Sequence, residues 1–233
     1  MKTTRNLTLL AAAALTMAAG SVSAAVILQP DSTTASTIAS ASYSADNASN
    51  QSGLSGTFTS GVDDFATTLS SLTHTNVVQS TNTGWASKLN PSLKSDPSLS
   101  DGLLTIDMGS SVAVSRIGIW MYLDGDSSGS VFDSTKDFEV FSSTDGTAAS
   151  GSITSLGTFS LPDVNPGTGL IFDITDATSR YFLVNSTSLW NDSAPAGNDH
   201  ASIGEVVFEA VPEPSAALLL GGLGILTLLR RRR

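Results

Sequence analysis

The chain has 233 residues, no cysteine, two histidines and a formal net charge of −10. The absence of cysteine excludes a thiol nucleophile, a disulfide framework and a thiolate metal site. Both ends read as targeting segments, and the body between them, residues 25–211, holds five Lys and Arg against twenty Asp and Glu, a net charge near −15. Such a surface lacks the clustered basic footprint that nucleic acid requires, whereas acidity with abundant Ser, Thr, Asp and Gly suits an exported protein and can support cation sites.

Residues 1–24 predict a secretory signal: Lys2 and Arg5, an apolar run from Leu7 to Ala19, then Val22-Ser23-Ala24, the small residues that signal peptidase reads. From Ala25 to Ser60 the composition is Ala, Ser, Thr and Asn, which predicts an opening edge strand at Val26 to Leu28 followed by long surface loops. Asp63-Asp64-Phe65 sets two carboxylates side by side. Neighbours on extended backbone point apart, so they do not make the facing pair of glycoside hydrolysis, and the pair reads as a solvated loop or a cation ligand. Thr75 to Leu89 combines a short apolar pair, a polar loop and Trp85, a ring that serves either the core or a sugar-stacking platform, with the core favoured.

The stretch from Leu103 to Gly146 organises the body and predicts three strands. The first alternates Leu104, Ile106 and Met108 against Thr105 and Asp107. The second sets Ile117, Ile119, Met121 and Leu123 against Arg116, Trp120 and Tyr122, a half-buried pattern, and the third is Asp137 to Ser143. Gly109, Asp124-Gly125-Asp126 and Asp145-Gly146 are the turn signals between them. Further strands are predicted at Ile153 to Leu161, Gly169 to Ile174, Arg180 to Ser186 and Ile203 to Ala210. About eight strands without a helical period predict an all-β, antiparallel jelly-roll β-sandwich.

The last segment, 212–233, opens on Pro212, Glu213 and Pro214, runs apolar from Ala216 to Leu229 and ends in four arginines. Its apolar part reaches roughly 21 Å as a helix, short of a span near 30 Å, and a short transmembrane helix of this kind keeps its arginines cytoplasmic. The order of tripeptide, apolar helix and basic end resembles the PEP-CTERM sorting signal, carried here by Val211-Pro212-Glu213-Pro214 through Arg233. That resemblance implies removal of the tail by an exosortase in the inner membrane of a Gram-negative bacterium, with a membrane contact only until processing. It also implies a final address on the cell envelope surface or in an extracellular matrix, in a setting of exopolysaccharide production.

The body resembles a discoidin, or coagulation factor 5/8 type C, module with the galactose-binding-like jelly roll. The segments that carry it, in order, are Asn82-Thr83-Gly84-Trp85-Ala86-Ser87, then Leu104 to Gly109 with Val114-Ser115-Arg116-Ile117, then Lys136 to Gly146, then Ser179 to Val184, and a closing Ile203-Gly204-Glu205-Val206. The resemblance implies a structural Ca²⁺ between the loop before the Trp and the last strand, with Asn82 and Glu205 as ligands by position. This chain has Gln79 where the family usually has an acid, and its loop is one residue short; one carboxylate fewer weakens affinity.

Sugar recognition in such folds combines an aromatic ring with polar side chains on loops at one end of the sandwich. The candidates here are Trp190, Asn191, Asp192, Asn198, Asp199 and His200, with a ring that merely plugs the sandwich end as the other reading. The expected function is a non-enzymatic module that binds a polysaccharide or cell-surface glycan or mediates adhesion. The alternative is a structural matrix protein, glycosylated after export, without a ligand pocket. An enzyme is not expected: there is no HExxH or His-rich set, and His74 and His200 read as loop residues.

Overall fold

A computed structural model describes residues 25–75, 83–122, 134–190 and 199–211. In chain order the strands are β1 (Ile27–Leu28), β2 (Ser32–Ala35), β3 (Trp85–Ala86), β4 (Leu103–Trp120), β5 (Ser134–Thr135), β6 (Asp137–Ser143), β7 (Ile153–Ser160), β8 (Leu170–Ser186), β9 (Leu189–Trp190), β10 (Ser202–Ile203) and β11 (Glu205–Ala210), with one short helix, α1 (Phe65–Ser71). Ala25–Val211 is one compact unit.

The main sheet runs β1-β11-β4-β8-β6-β7, with β2 also on β4, and every pairing is antiparallel. The expected turn at Gly109 is not a turn. The first two predicted strands are one strand, the 18-residue β4, and its partner β8 has 17 residues. Register shifts between Asp107 and Val112 and between Val114 and Arg116 bend the β4–β8 pair, and Gly109, at φ 73°, supplies the left-handed residue in the first of them. The early half of β4 pairs with β2 and with the late half of β8, which carries β6. The later half of β4 pairs with β11 and the early half of β8. Two long bent strands thus belong to both layers of the sandwich.

The core lies between the layers. Leu104, Ile106, Phe138, Val140, Phe182 and Val184 enter from one and Val114, Ile117, Ile119, Val206 and Phe208 from the other. Phe182 and Phe208 meet with ring centroids 4.7 Å apart. Trp85 is fully buried among them and its indole N–H donates to the Thr37 carbonyl at 3.1 Å, so the ring serves the core.

The outer face of the second layer is covered as well. Phe65 and Leu69 of α1 pack with Ile27, Phe58, Trp120 and Val207, so Trp120, expected on an open face, is fully buried. The helix comes close because Gly118 has no side chain: a Cβ there would lie 2.4 Å from Leu69. The Asp63–Asp64 pair, read as a loop or cation ligand, stands at the start of this helix, with Asp64 exposed as its N-cap. Asp64 accepts from the Thr67 N–H at 2.8 Å and Asp63 from the Thr59 N–H at 2.7 Å. The Thr67 hydrogen bonds hold the Asp64 carboxyl below its ordinary range.

On the same face the Arg116 guanidinium pairs with Glu209, which is 3% exposed, and sits 5.2 Å over the Phe65 ring. Glu209→Ala leaves that guanidinium without its carboxylate. It is expected to cost about 2 kcal/mol, read as a lowered urea midpoint with an unchanged slope.

Candidate functional site

Trp190 is held at one end of the sandwich by a short ladder. Past the last β6–β8 pair, Phe138 with Ser186, β5 and β9 pair Ser134 with Trp190 and Thr135 with Leu189. The Lys136 N–H donates to the Ser188 carbonyl at 2.9 Å, the Leu161 N–H to the Lys136 carbonyl at 2.7 Å, and the Trp190 indole N–H to the Leu161 carbonyl at 3.1 Å. The ring is half-buried, packed against the core, and the Lys136 ammonium stands 4.9 Å from its centroid. Beside it the Asp137 carboxylate accepts from Ser160 at 2.6 Å and Ser188 at 2.5 Å, and those hydroxyls hold its pKa below the ordinary range.

Asp199 and His200 lie just before β10, which pairs with β3, and β10 runs beside β5. The Asp199 carbonyl accepts from the Asn90 N–H at 2.8 Å, and His200 Nδ1 donates to the Ser87 carbonyl at 2.7 Å. Trp190 and His200 are thus fixed by separate partners, Leu161 and Ser87. Asn191, Asp192 and Asn198, named with them, lie outside the described residues. Sequence reasoning missed Lys136, 54 positions from the ring it stands on; nothing local to it signals the contact.

A second polar cluster lies where β11 begins. Glu205 is fully buried; one oxygen accepts from the Gln51 N–H at 3.0 Å and Oε1 has no partner among the described residues. Gln51 is held in the left-handed region at φ 62°. Its amide donates to Gln29 at 2.7 Å and to the Phe58 carbonyl at 3.2 Å, and accepts from the Phe58 N–H at 2.9 Å. Burial pushes the Glu205 carboxyl well above its ordinary 4.5, and the Gln51 N–H offsets this only in part.

Next to it in the chain, Gly204 packs on His74, which is 4% exposed rather than a loop residue. Its Nε2 lies 3.3 Å from the Thr83 carbonyl, and burial pushes its pKa down from 6.5 to about 4. A Cβ at Gly53 would fall 2.0 Å from the ring, which is why glycine stands there.

The uncovered Glu205 oxygen fits a hard, oxygen-seeking cation such as Ca²⁺. Among the described residues it is not accompanied by a cluster of three or more His, Asp or Glu. Asn82 and the rest of the 79–82 loop lie outside the described residues, as do residues 1–24, Pro212, Glu213, Pro214 and the expected transmembrane helix. Among the described residues no helix is long and apolar enough to cross a membrane.

No curated protein matches the chain. Among solved structures, it is similar to a chitosan-binding module from a chitosanase/glucanase of Paenibacillus sp. IK-5, at 17% identity and TM-score 0.46 over 80% of this chain and 99% of that one. It is also similar to the CBM32 of AlyQ in complex with 4,5-unsaturated mannuronic acid, at 17% identity and TM-score 0.43 over 78% and 96%. A third is CBM32-3 from a family 31 glycoside hydrolase of Clostridium perfringens, at 16% identity and TM-score 0.42 over 69% and 93%. At the other end of the chain, residues 210–233 match the PEP-CTERM protein-sorting motif.

Proposed function

We propose that this is an exported, non-enzymatic protein of the cell surface or exopolysaccharide matrix whose β-sandwich binds carbohydrate through the end that carries Trp190. The observation that carries the binding reading is the fixed, half-buried indole: its N–H is tied to Leu161 and its ring is set on the core rather than swallowed by it. A ring immobilised before the ligand arrives loses little further entropy on binding. The sorting motif at residues 210–233 supports export and removal of the tail by an exosortase. Asn191, Asp192, Asn198, Asp199 and His200 are proposed as the polar partners of the ring.

The test is a glycan array with the exported form of the chain, including exopolysaccharide from a producing strain. Saturable binding is expected, with Trp190→Ala weakening it at least about tenfold, the scale of a lost aromatic platform. Binding that ignores Trp190→Ala removes the site. A flat array from a protein that melts cooperatively favours the structural matrix role instead.

Glu205 is further proposed as a Ca²⁺ ligand, on the strength of its buried and uncovered oxygen. Asn82 is proposed with it from the resemblance alone. The cation would lock the Gln51 segment to the start of β11 and would take no part in chemistry on a ligand.

A further inference from the structure

The body has five cationic side chains among twenty acids, and most of them are spent on ion pairs. Lys88 holds Asp101 at 2.8 Å, Arg180 holds Asp107 at 2.7 Å, and Arg116 holds Glu209. Among the described residues Lys94 and Lys136 form no such pair, and of these two only Lys136 stands on a ring, 4.9 Å from the centroid of Trp190. Its chain neighbour Asp137 has each carboxylate oxygen accepting from a serine hydroxyl, Ser160 on one and Ser188 on the other. Lys136 is also pinned through its backbone on both sides, to Ser188 and to Leu161, and Leu161 in turn accepts from the indole N–H of Trp190. The Lys136 backbone and the Trp190 ring are therefore fixed to one another through a single shared residue, Leu161.

We infer that the ligand at Trp190 is an acidic polysaccharide, one that carries uronic acid units, and that Lys136 selects it by pairing with the carboxylate. This rests on the carbohydrate-binding reading above. A pyranose laid on the face of the half-buried ring that Lys136 covers must displace the ammonium from it. A neutral sugar offers nothing in exchange, so the lost cation–π attraction counts against binding. A uronate offers a charge-assisted hydrogen bond to the displaced ammonium, which is stronger than the contact it replaces. The flexible four-carbon stem lets the ammonium move aside without disturbing the pinned backbone. A body with a net charge near −15 repels polyanions at long range, so affinity for an acidic glycan has to come from a local cation rather than from general adsorption.

The experiment is calorimetric titration of the exported chain with oligouronates, with the same oligosaccharides after carboxyl reduction, and with a neutral galactan. The parent protein is expected to bind the oligouronate about tenfold more tightly than its reduced form, the scale of one charge-assisted hydrogen bond. Lys136→Gln is expected to erase that difference, by losing the carboxylate's partner and by raising affinity for the reduced sugar, which no longer has to displace the ammonium, and Lys136→Arg to keep it. Equal affinity of the parent for the acidic and reduced sugars overturns the inference and leaves carbohydrate binding standing. An oligouronate preference that survives Lys136→Gln overturns the role of Lys136. Binding to none of the three, by protein that melts cooperatively, overturns the carbohydrate reading itself and this inference with it.

Discussion

Replacing Trp85 with alanine is expected to lower the stability of the body by about 4 kcal/mol, the range for emptying a fully buried aromatic site. The ring is 0% exposed in the core between the two layers. Its loss leaves a cavity and strands the Thr37 carbonyl that its N–H satisfies at 3.1 Å. Trp85→Phe separates the two contributions, because it fills most of the volume and omits the hydrogen bond; about 1–2 kcal/mol is expected. The effect should also reach the candidate site. β3 pairs Trp85 with Ile203, and two positions along the Ser87 N–H donates to the Ala201 carbonyl while the Ala201 N–H donates to the Ser87 hydroxyl, beside His200. Urea unfolding with an unchanged slope is the measurement. A loss below about 1 kcal/mol for Trp85→Ala would place the ring outside the core.

The burial of Trp85 and the inward set Leu104, Ile106, Met108, Ile117 and Ile119 were legible because apolar alternation on a strand leaves few other choices. Gly109 was not legible in the same way. A left-handed glycine between two strand patterns serves a chain reversal and a β-bulge equally well, and only the partner strand decides. α1 escaped because seven residues hold barely two turns, too short for a period to register, although Asp64 three residues ahead of Thr67 was a cap in plain sight. What alternation cannot tell is whether a second face is covered. Trp120 and Arg116 looked solvent-facing until the helix was laid over them. At the candidate site Trp190 was visible as a ring in a polar neighbourhood, whereas Lys136 reaches it through strand pairing, a relation the linear chain does not carry.

Glu205→Gln is expected to change the pH dependence of stability and to abolish any stabilisation by calcium, and the two effects have a common origin. Without a cation the folded protein binds a proton at Glu205 more tightly than the unfolded chain does. Burial of this group therefore costs nothing below about pH 4.5, and it destabilises progressively as pH rises from there to the raised folded value. His74 acts in the opposite sense: the unfolded chain protonates it near 6.5 and the fold only near 4, so stability falls as pH drops through that window, by about 3 kcal/mol in all. Over the shared range the two slopes oppose each other in the parent.

The Gln variant removes one of them, so its stability in chelator should climb steadily from about pH 4 to 6.5 and then level off. Calcium discriminates further. A cation at Glu205 binds the ionised carboxylate, so at a hundredfold excess over Kd it should raise parental stability by about 2.7 kcal/mol and reverse the penalty for raising the pH. The Gln variant, which lacks the anionic oxygen, should melt at the same temperature with calcium as with chelator. A parent indifferent to calcium would leave Glu205 a protonated acid that donates or accepts within the Gln51 network, and equal calcium responses in parent and variant would move the cation elsewhere in the chain. Either result leaves the pH comparison intact, because that comparison depends only on the burial of two groups of opposite charge type on either side of Gly204.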